Sequence, residues 1–280
     1  MPESRVFISV DFEGLPLVSN FSHLSPGKPG YADARRVLSR ILTTVVNKLV
    51  DMGFEVTIAD SHGFMTNVDW CELSPKTRLI HGYPRPHSMV YGARGSAFAI
   101  LLGYHGGAGA ASVLSHTYSI RAIHSIRIGG TEVSEFLMNA LALGEMGVPV
   151  GLVAGSAELR EEVEKYTPQA VFIELKRSIS YTAAESKPPR EVEEELIKAI
   201  ENVVELYKMG ELKPLKPWST EFEVEFSLPA YADLVSLIPG VKRVDGRRIR
   251  YNLNSIVKGI DLLEVIVAVC AGVDVIMSGR

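Results

Sequence analysis

The sequence has few cysteines, little net charge and no basic segment, and each of these features excludes a class of protein. Cys71 and Cys270 are the only cysteines in 280 residues, too few for a disulfide framework and too far apart for a structural zinc site built on paired cysteines. We expect both to be buried thiols. The formal net charge is -4, and there is no basic stripe interleaved with aromatic residues, so no nucleic-acid partner is expected.

The sequence also lacks the pattern of a secretion signal or a membrane span. The opening residues, Met-Pro-Glu-Ser, have neither the basic nor the apolar region of a signal peptide. The most apolar late stretch, residues 262–277, is interrupted by Glu264 and Asp274, which favours a buried helix over a membrane span. We therefore expect a cytoplasmic protein without a membrane partner.

The composition is that of an ordinary globular protein, with 46% hydrophobic and 22% charged residues. Short apolar runs alternate with segments of helical periodicity. The predicted strands are 5–10, 55–60, 97–103 and 149–154, the predicted helices are 33–52, 134–146 and 157–166, and residues 113–128 are expected to be extended, with a hairpin turn at 129–130. This alternation predicts an α/β fold with a mostly parallel sheet and flanking helices.

The character of the sequence changes after Leu175. Residues 178–189 are polar and end in Pro188-Pro189, and a charged helix is predicted over 190–209. Strands at 221–226 and 248–253, a short helix near Tyr231 and a last helix from Ser255 follow. We therefore predict a metal-binding α/β domain over residues 1–177 and a smaller α+β C-terminal domain over residues 178–280.

Side chains of the metal-ligand type follow three of the predicted strands. Asp11 and Glu13 come directly after the first, His62 after the second and His105 after the third. The carboxyl ends of parallel strands share one edge of a sheet, where ligands bind. Each residue alone has an ordinary explanation, as a solvated acid or a loop or core histidine. Four together favour an open catalytic site for zinc, manganese or iron over a closed structural one.

Further candidates lie between residues 105 and 139. Glu135 and Asn139 share one face of a predicted helix, where Glu135 would be a fifth metal ligand, although the helix dipole alone favours an acid in the first turn. His116 is a candidate general acid or base beside the metal, with a buried core histidine as the alternative. Gly106 and Gly107 open a permissive loop whose N–H groups could approach a substrate oxygen.

Five motifs occur in a characteristic order along the chain: Ser-Val-Asp-Phe-Glu-Gly at 9–14, Asp-Ser-His-Gly at 60–63, Leu-Gly-Tyr-His at 102–105, Leu-Ser-His-Thr at 114–117, and Glu135 with Asn139-Ala140. Together they resemble the D-aminopeptidase family, typified by the enzyme of the dipeptide-transport operon of bacilli. The resemblance extends over most of the chain, and the set of five is far more specific than any one motif.

The resemblance implies two zinc ions per subunit and a role for each matching residue. Asp11 would bridge the ions, Glu13 and His62 would complete one side, and His105 and Glu135 the other. His116 matches the catalytic position, and Asn139, Gly106 and Gly107 are expected to contact substrate. Family members form homo-oligomers, typically decamers of stacked rings, whose inner chamber admits short peptides.

We therefore expect a dinuclear zinc aminopeptidase that releases N-terminal residues, in this family D-amino acids, from short peptides or amides by metal-activated water. One alternative is another metal-dependent hydrolase, an amidase or a phosphoesterase, because the same ligands serve several reactions. The other alternative is a non-catalytic protein that binds metal or peptide. The sequence leaves open the native metal, the preference for D- or L-residues, and whether His116 acts as a base or a nucleophile.

Overall fold

The computed structural model describes residues 4–279, and these contain two β-sheets and six α-helices. The strands are β1 Arg5–Val10, β2 Glu55–Asp60, β3 Thr77–Ile80, β4 Ala99–Tyr104, β5 Ile123–Ile128, β6 Thr131–Glu132, β7 Val150–Ser156, β8 Val171–Ser180, β9 Ala183–Ser186, β10 Glu221–Phe226, β11 Lys242–Arg243 and β12 Arg248–Asn252. The helices are α1 Tyr31–Asp51, α2 Glu135–Glu145, α3 Arg160–Tyr166, α4 Pro189–Met209, α5 Pro229–Val235 and α6 Ile256–Met277.

The larger sheet has the strand order β3-β2-β1-β4-β7-β8-β9. All neighbouring pairs are parallel except β8 and β9, which are antiparallel. The chain moves from β1 to one side through β2 and β3, and then crosses to the other side of β1 to form β4. The switch point of this sheet, where open α/β folds bind their ligands, therefore lies between the carboxyl ends of β1 and β4.

The two faces of this sheet are covered by different layers, because successive side chains of a strand point to opposite faces. Val6, Ile8 and Val10 pack in a core that includes buried residues of α1 and α4. Phe7 lies in a second core, with buried residues of α2, α6 and the smaller sheet. The predicted α/β class, with a mostly parallel sheet and flanking helices, is confirmed by this arrangement.

The smaller sheet is antiparallel and has the order β11-β12-β10-β5-β6. Its strands come from both sides of residue 177, since β5 and β6 precede it and β10 to β12 follow it. The predicted domain boundary itself falls within β8, which continues to Ser180. The division into units 1–177 and 178–280 stays a prediction about folding units, because neither sheet is confined to one of them.

Some local expectations are wrong. Residues 113–122 form turns rather than extended structure, and the strand begins only at Ile123. Cys71 is exposed, whereas Cys270 is buried as expected. The last turns of α6 also expose apolar side chains, with Ile276 73% exposed, so this helix is buried along only part of its length. Among residues 4–279, no helix combines the length and the apolar character that a membrane crossing requires.

Candidate metal centre

The five predicted metal-ligand residues meet at the switch point of the larger sheet. Asp11 and Glu13 follow β1, His62 follows β2, His105 follows β4, and Glu135 is the first residue of α2. All five are buried. The N-terminus of α2 is fixed by Ser134, whose hydroxyl accepts a hydrogen bond from the Leu137 N–H at 3.1 Å. The sheet edge and the helix start thus bring together three carboxylates and two imidazoles.

Asp11 lies at the middle of this group, and its two carboxylate oxygens face different histidines. Oδ1 is 3.5 Å from Nδ1 of His62, and Oδ2 is 3.4 Å from Nε2 of His105. Each imidazole nitrogen also faces a second carboxylate: Glu13 Oε2 lies 2.9 Å from His62, and Glu135 Oε2 lies 3.7 Å from His105. The arrangement is that of two half-sites that share one carboxylate.

The remaining nitrogen of each imidazole is held by a backbone carbonyl. His62 Nε2 lies 2.8 Å from the carbonyl oxygen of Leu24, and His105 Nδ1 lies 2.9 Å from that of Gly106. A carbonyl can only accept, so each of these nitrogens carries a proton, and the other nitrogen is left facing the carboxylates, in position to bind an ion. This is how histidines that bind metals are usually oriented.

His116 lies beside the second half-site. Its Nε2 is 3.6 Å from Oε1 of Glu135, its ring stacks on that of His105 at 4.4 Å between centroids, and its Nδ1 is 2.8 Å from the carbonyl oxygen of Leu114. The segment that carries it contains two non-glycine residues with positive φ, Leu114 at 52° and Tyr118 at 62°. Such backbone costs of order 1–3 kcal/mol per residue and is concentrated at functional sites. His116 therefore occupies an irregular segment rather than the expected strand.

Two glycines allow the loop after β1 to cross directly over the end of β4. The Gly14 N–H donates to the carbonyl oxygen of Gly103 at 2.7 Å. A Cβ on Gly14 would lie 1.8 Å from the carbonyl oxygen of Tyr104, and a Cβ on Gly103, which has φ +77°, would lie 2.1 Å from that of Asp11. The close approach of Asp11 to His105 thus depends on both glycines.

Lys176 holds the same loop through hydrogen bonds to its backbone. Its side chain is only 1% exposed, and its ammonium group donates to the backbone carbonyl oxygens of Glu13 and Val18. Burial lowers the pKa of Lys176 to about 7, against the opposing effect of the Glu13 charge. The sequence analysis missed this residue; the only signal is a lysine directly after the run Val171–Leu175.

The electrostatics of the centre suit a divalent cation. Burial would raise the pKa of Asp11, but contacts with His105 and His62 outweigh burial and hold it below its ordinary value. Burial would lower the pKa of His105, but Asp11 and Glu135 raise it to about 9. Asp11 therefore carries a negative charge that a cation can neutralise. Among residues 4–279, Asp11 Oδ2 and His105 Nε2 are buried without a hydrogen-bond partner, as expected for atoms that bind an ion.

The distances between the potential ligand atoms are also short enough for them to bind a metal ion together. The donor atoms of Asp11, Glu13 and His105 lie within 4.8 Å of one another, and so do those of His105, His116 and Glu135. Mixed carboxylate and imidazole donors are the set expected for zinc in a catalytic site. The residues present therefore fit the cofactor that the sequence analysis predicts.

Three further predicted site residues follow the candidate ligands along the chain: Gly106 and Gly107 come directly after His105, and Asn139 lies on the same helix as Glu135. Asn139 is completely buried, and its amide nitrogen donates to the Tyr104 hydroxyl at 3.0 Å and contacts Sδ of Met89. A Cβ on Gly106 would lie 2.9 Å from that of Ser112, and one on Gly107 would lie 3.0 Å from that of Ser134. Tight packing thus explains both glycines, and substrate contact by these three residues stays a prediction.

A cleft of about 1000 Å³ opens onto the centre. Asp11, Glu13, His62, His116 and Glu135 lie on its walls. Residues of α6 and of the segments around Met65 and Tyr83 form the rest of the lining. Within this cleft, the sequence analysis missed Tyr83, Tyr118 and Glu264, which no metal-ligand or glycine pattern marks.

The fold and the site together define a class: an α/β enzyme with a metal centre of carboxylates and imidazoles at the switch point of its sheet. The sequence model of the D-aminopeptidase family of peptidases matches residues 4–265. The chain therefore belongs to the D-aminopeptidase family, which confirms the resemblance stated above and the prediction of a peptidase.

Two relatives illustrate this membership. A D-aminopeptidase of Bacillus subtilis (strain 168) is 29% identical over 244 residues, which cover 85% of this chain and 87% of the relative. The solved structure of the Zn-dependent D-aminopeptidase DppA from Bacillus subtilis, described as a self-compartmentalizing protease, superposes with a TM-score of 0.89 at 26% identity. The superposition covers 94% of this chain and 97% of that one.

Proposed function

We propose that this protein is a zinc aminopeptidase that releases N-terminal D-amino acids from short peptides or amides. The observation that carries the proposal is the placement of Asp11, which lies on the wall of the cleft and whose two carboxylate oxygens each face one imidazole. Family membership and the zinc dependence of the relative DppA support it.

In this proposal each chain holds two zinc ions. Asp11 would be shared between them, Glu13 and His62 would hold one ion, and His105 and Glu135 would hold the other. The pairing follows the distances, since Glu13 lies beside His62 and Glu135 beside His105. Zinc in such a site supplies Lewis acidity, which polarises a peptide carbonyl and lowers the pKa of water.

The side chain that we propose for proton transfer is His116. It lies on the cleft wall, its Nδ1 is anchored to the Leu114 carbonyl, and its Nε2 is directed at Glu135 and the centre. From this position Nε2 can take a proton from the attacking water and pass it to the leaving amine as the peptide bond breaks. Stacking on His105 fixes the plane of the ring, so little reorientation is needed during turnover.

Substrate size and chirality are inferred from the cleft and the relatives. A cleft of about 1000 Å³ has the volume of a site for a small molecule or a short peptide. The sequence comparison and the structure comparison both lead to a D-aminopeptidase of Bacillus subtilis, and we extend that preference to this chain. We propose that the substrate also contacts Asn139, Gly106 and Gly107.

We also propose that the protein is a cytoplasmic homo-oligomer, with a decamer as the expected size. The self-compartmentalizing relative supports an assembly that encloses its active sites. The end of α6 offers apolar surface for it, since Val275, Ile276 and Met277 are all more than half exposed. Light scattering coupled to size-exclusion chromatography would test this, and a monomer at micromolar concentration would contradict it.

The activity itself is tested with a panel of D- and L-aminoacyl amides and dipeptides, comparing metal-stripped protein with zinc-restored protein. We expect zinc-dependent release of free amino acid, faster from the D-substrates. Phosphate esters belong in the same panel, since their cleavage without release of amino acid would favour the phosphoesterase alternative. Zinc binding without any turnover would favour a binding protein.

A further inference from the structure

The cleft continues past the metal centre to α6, where it is lined by Glu264. This side chain is half-buried, and its carboxylate accepts hydrogen bonds from the hydroxyls of Ser88 and Tyr83. Burial raises the pKa of Glu264, while the Ser88 hydrogen bond lowers it. A second polar site, separate from the five predicted metal ligands, thus lies in the same cleft.

The loop opposite Glu264 is held in an unusual conformation. His87 and Ser88 are consecutive non-glycine residues with positive φ, 59° and 45°. The His87 N–H donates to Oδ1 of Asp261 at 2.5 Å, one turn of α6 before Glu264. Two acids of α6 therefore fix this loop: Asp261 binds its backbone, while Glu264 binds the Ser88 hydroxyl and remains part of the cleft wall.

The guanidinium of Arg85, whose charge lowers the pKa of Glu264, makes its hydrogen bonds elsewhere. Arg85 donates to the backbone carbonyl oxygens of Ser88, Ile80 and Asp60, at 2.8, 3.3 and 2.7 Å. An ionised carboxylate offers about four acceptor positions, and the Ser88 and Tyr83 hydroxyls take two of those on Glu264. The others can accept hydrogen bonds from a cationic group in the cleft.

Tyr118 connects this carboxylate to the metal centre. Its backbone N–H donates to Oε1 of Glu135 at 2.6 Å. Its hydroxyl is buried beside Ser88 and Glu264, and within residues 4–279 no side chain lies at full hydrogen-bonding distance from it. The distance between Glu264 and Glu135 is therefore about the length of one tyrosine side chain. The hydroxyl of Tyr118 lies beside Glu264.

We propose that Glu264, together with the Tyr118 hydroxyl, binds the α-ammonium group of the substrate's N-terminal residue. The inference rests on the proposed aminopeptidase function and adds the group that recognises the free N-terminus. An ammonium has three donors, which match the free acceptor positions of Glu264 and the oxygen of Tyr118. The α-nitrogen lies two bonds from the carbonyl carbon that is attacked, so anchoring it places that carbon at the centre.

The experiment compares D-alaninamide with D-lactamide, in which a neutral hydroxyl replaces the ammonium. We expect wild-type protein to prefer the amine in kcat/KM, and Glu264→Gln to reduce that preference about 10- to 100-fold, mainly through KM, because a charged hydrogen bond is lost. Activity on D-lactamide and the zinc content should stay within about twofold of wild type. Glu205→Gln, at an exposed position of α4, is the matched control and should keep the wild-type preference.

Binding of D-alaninol separates this inference from the proposed function, because that molecule has the ammonium but no carbonyl to hydrolyse. By calorimetry, zinc-loaded wild-type protein should bind it at least about tenfold more tightly than Glu264→Gln does. Equal affinities, or an unchanged preference for D-alaninamide, would overturn the role of Glu264 and leave only its support of Ser88. Absence of hydrolysis by wild-type protein with D-alaninol binding intact would refute the proposed function alone.

Discussion

The crossing of the β1 loop over β4 makes Gly103 the most informative position to change. In Gly103→Ala the new Cβ would lie 2.1 Å from the carbonyl oxygen of Asp11, and φ at this position is +77°. The left-handed conformation costs an alanine about 1–2 kcal/mol, and overpacking adds about 1–3 kcal/mol. Alanine also lowers the conformational entropy of the unfolded chain, which offsets about 0.4–1 kcal/mol of this destabilisation. We therefore expect a loss of about 2–4 kcal/mol in the free energy of unfolding.

Gly210→Ala is the matched control. Gly210 has φ +72° after α4, and apart from its chain neighbours no atom of the described residues lies within 4 Å of the position of its Cβ. Only the backbone term applies there, so we expect a loss of about 1 kcal/mol. Urea unfolding of the metal-free proteins measures both losses.

The same displacement should reach the metal centre, because the Asp11 carbonyl would have to move away from β4. Zinc affinity, measured by competition with a chelator, should fall at least about tenfold in Gly103→Ala and stay unchanged in Gly210→Ala. Equal losses of stability in the two variants, or wild-type zinc affinity in Gly103→Ala, would refute the argument that this crossing positions Asp11.

Three further substitutions test separate parts of the site. His116→Ala should lower kcat by about 100-fold or more while zinc stays bound, whereas His124→Ala, at an exposed position of β5, should not; full turnover in His116→Ala would disprove the proton-transfer role. Asp11→Asn should reduce the zinc content, measured by elemental analysis, from two ions per chain to at most one, and an unchanged content would contradict the shared carboxylate. Ser134→Ala should destabilise the protein by about 1 kcal/mol in urea unfolding through loss of the α2 cap, and no loss would show that this cap is dispensable.

Much of the fold could be predicted because its strands are short apolar runs between polar residues. The bounds of β1, β2 and β10 agree with the predicted ones, and the strand-end position of Asp11, His62 and His105 follows from that pattern. β3 is a half-buried edge strand, and its weaker apolar signal did not mark it. β8 was missed because its second half is polar, and the burial of Lys176 depends on carbonyls more than 150 residues away.

The site shows the same division between local and long-range information. Residue type and position after strands indicated the ligands of the candidate centre. The orientation of His62 was beyond the sequence, because it depends on the carbonyl of Leu24, which is distant along the chain. His105 and His116 are oriented by the nearby carbonyls of Gly106 and Leu114, but only in the irregular backbone of that segment. Glu264 was missed for a similar reason, since it joins the cleft only when α6 packs beside the loop at Ser88.

The most direct test of the metal centre is anomalous diffraction at the zinc edge from crystals grown with zinc. We expect two peaks per chain on either side of the Asp11 carboxylate, one beside Glu13 and His62 and the other beside His105 and Glu135. A single peak, or two peaks that do not share Asp11, would contradict this expectation.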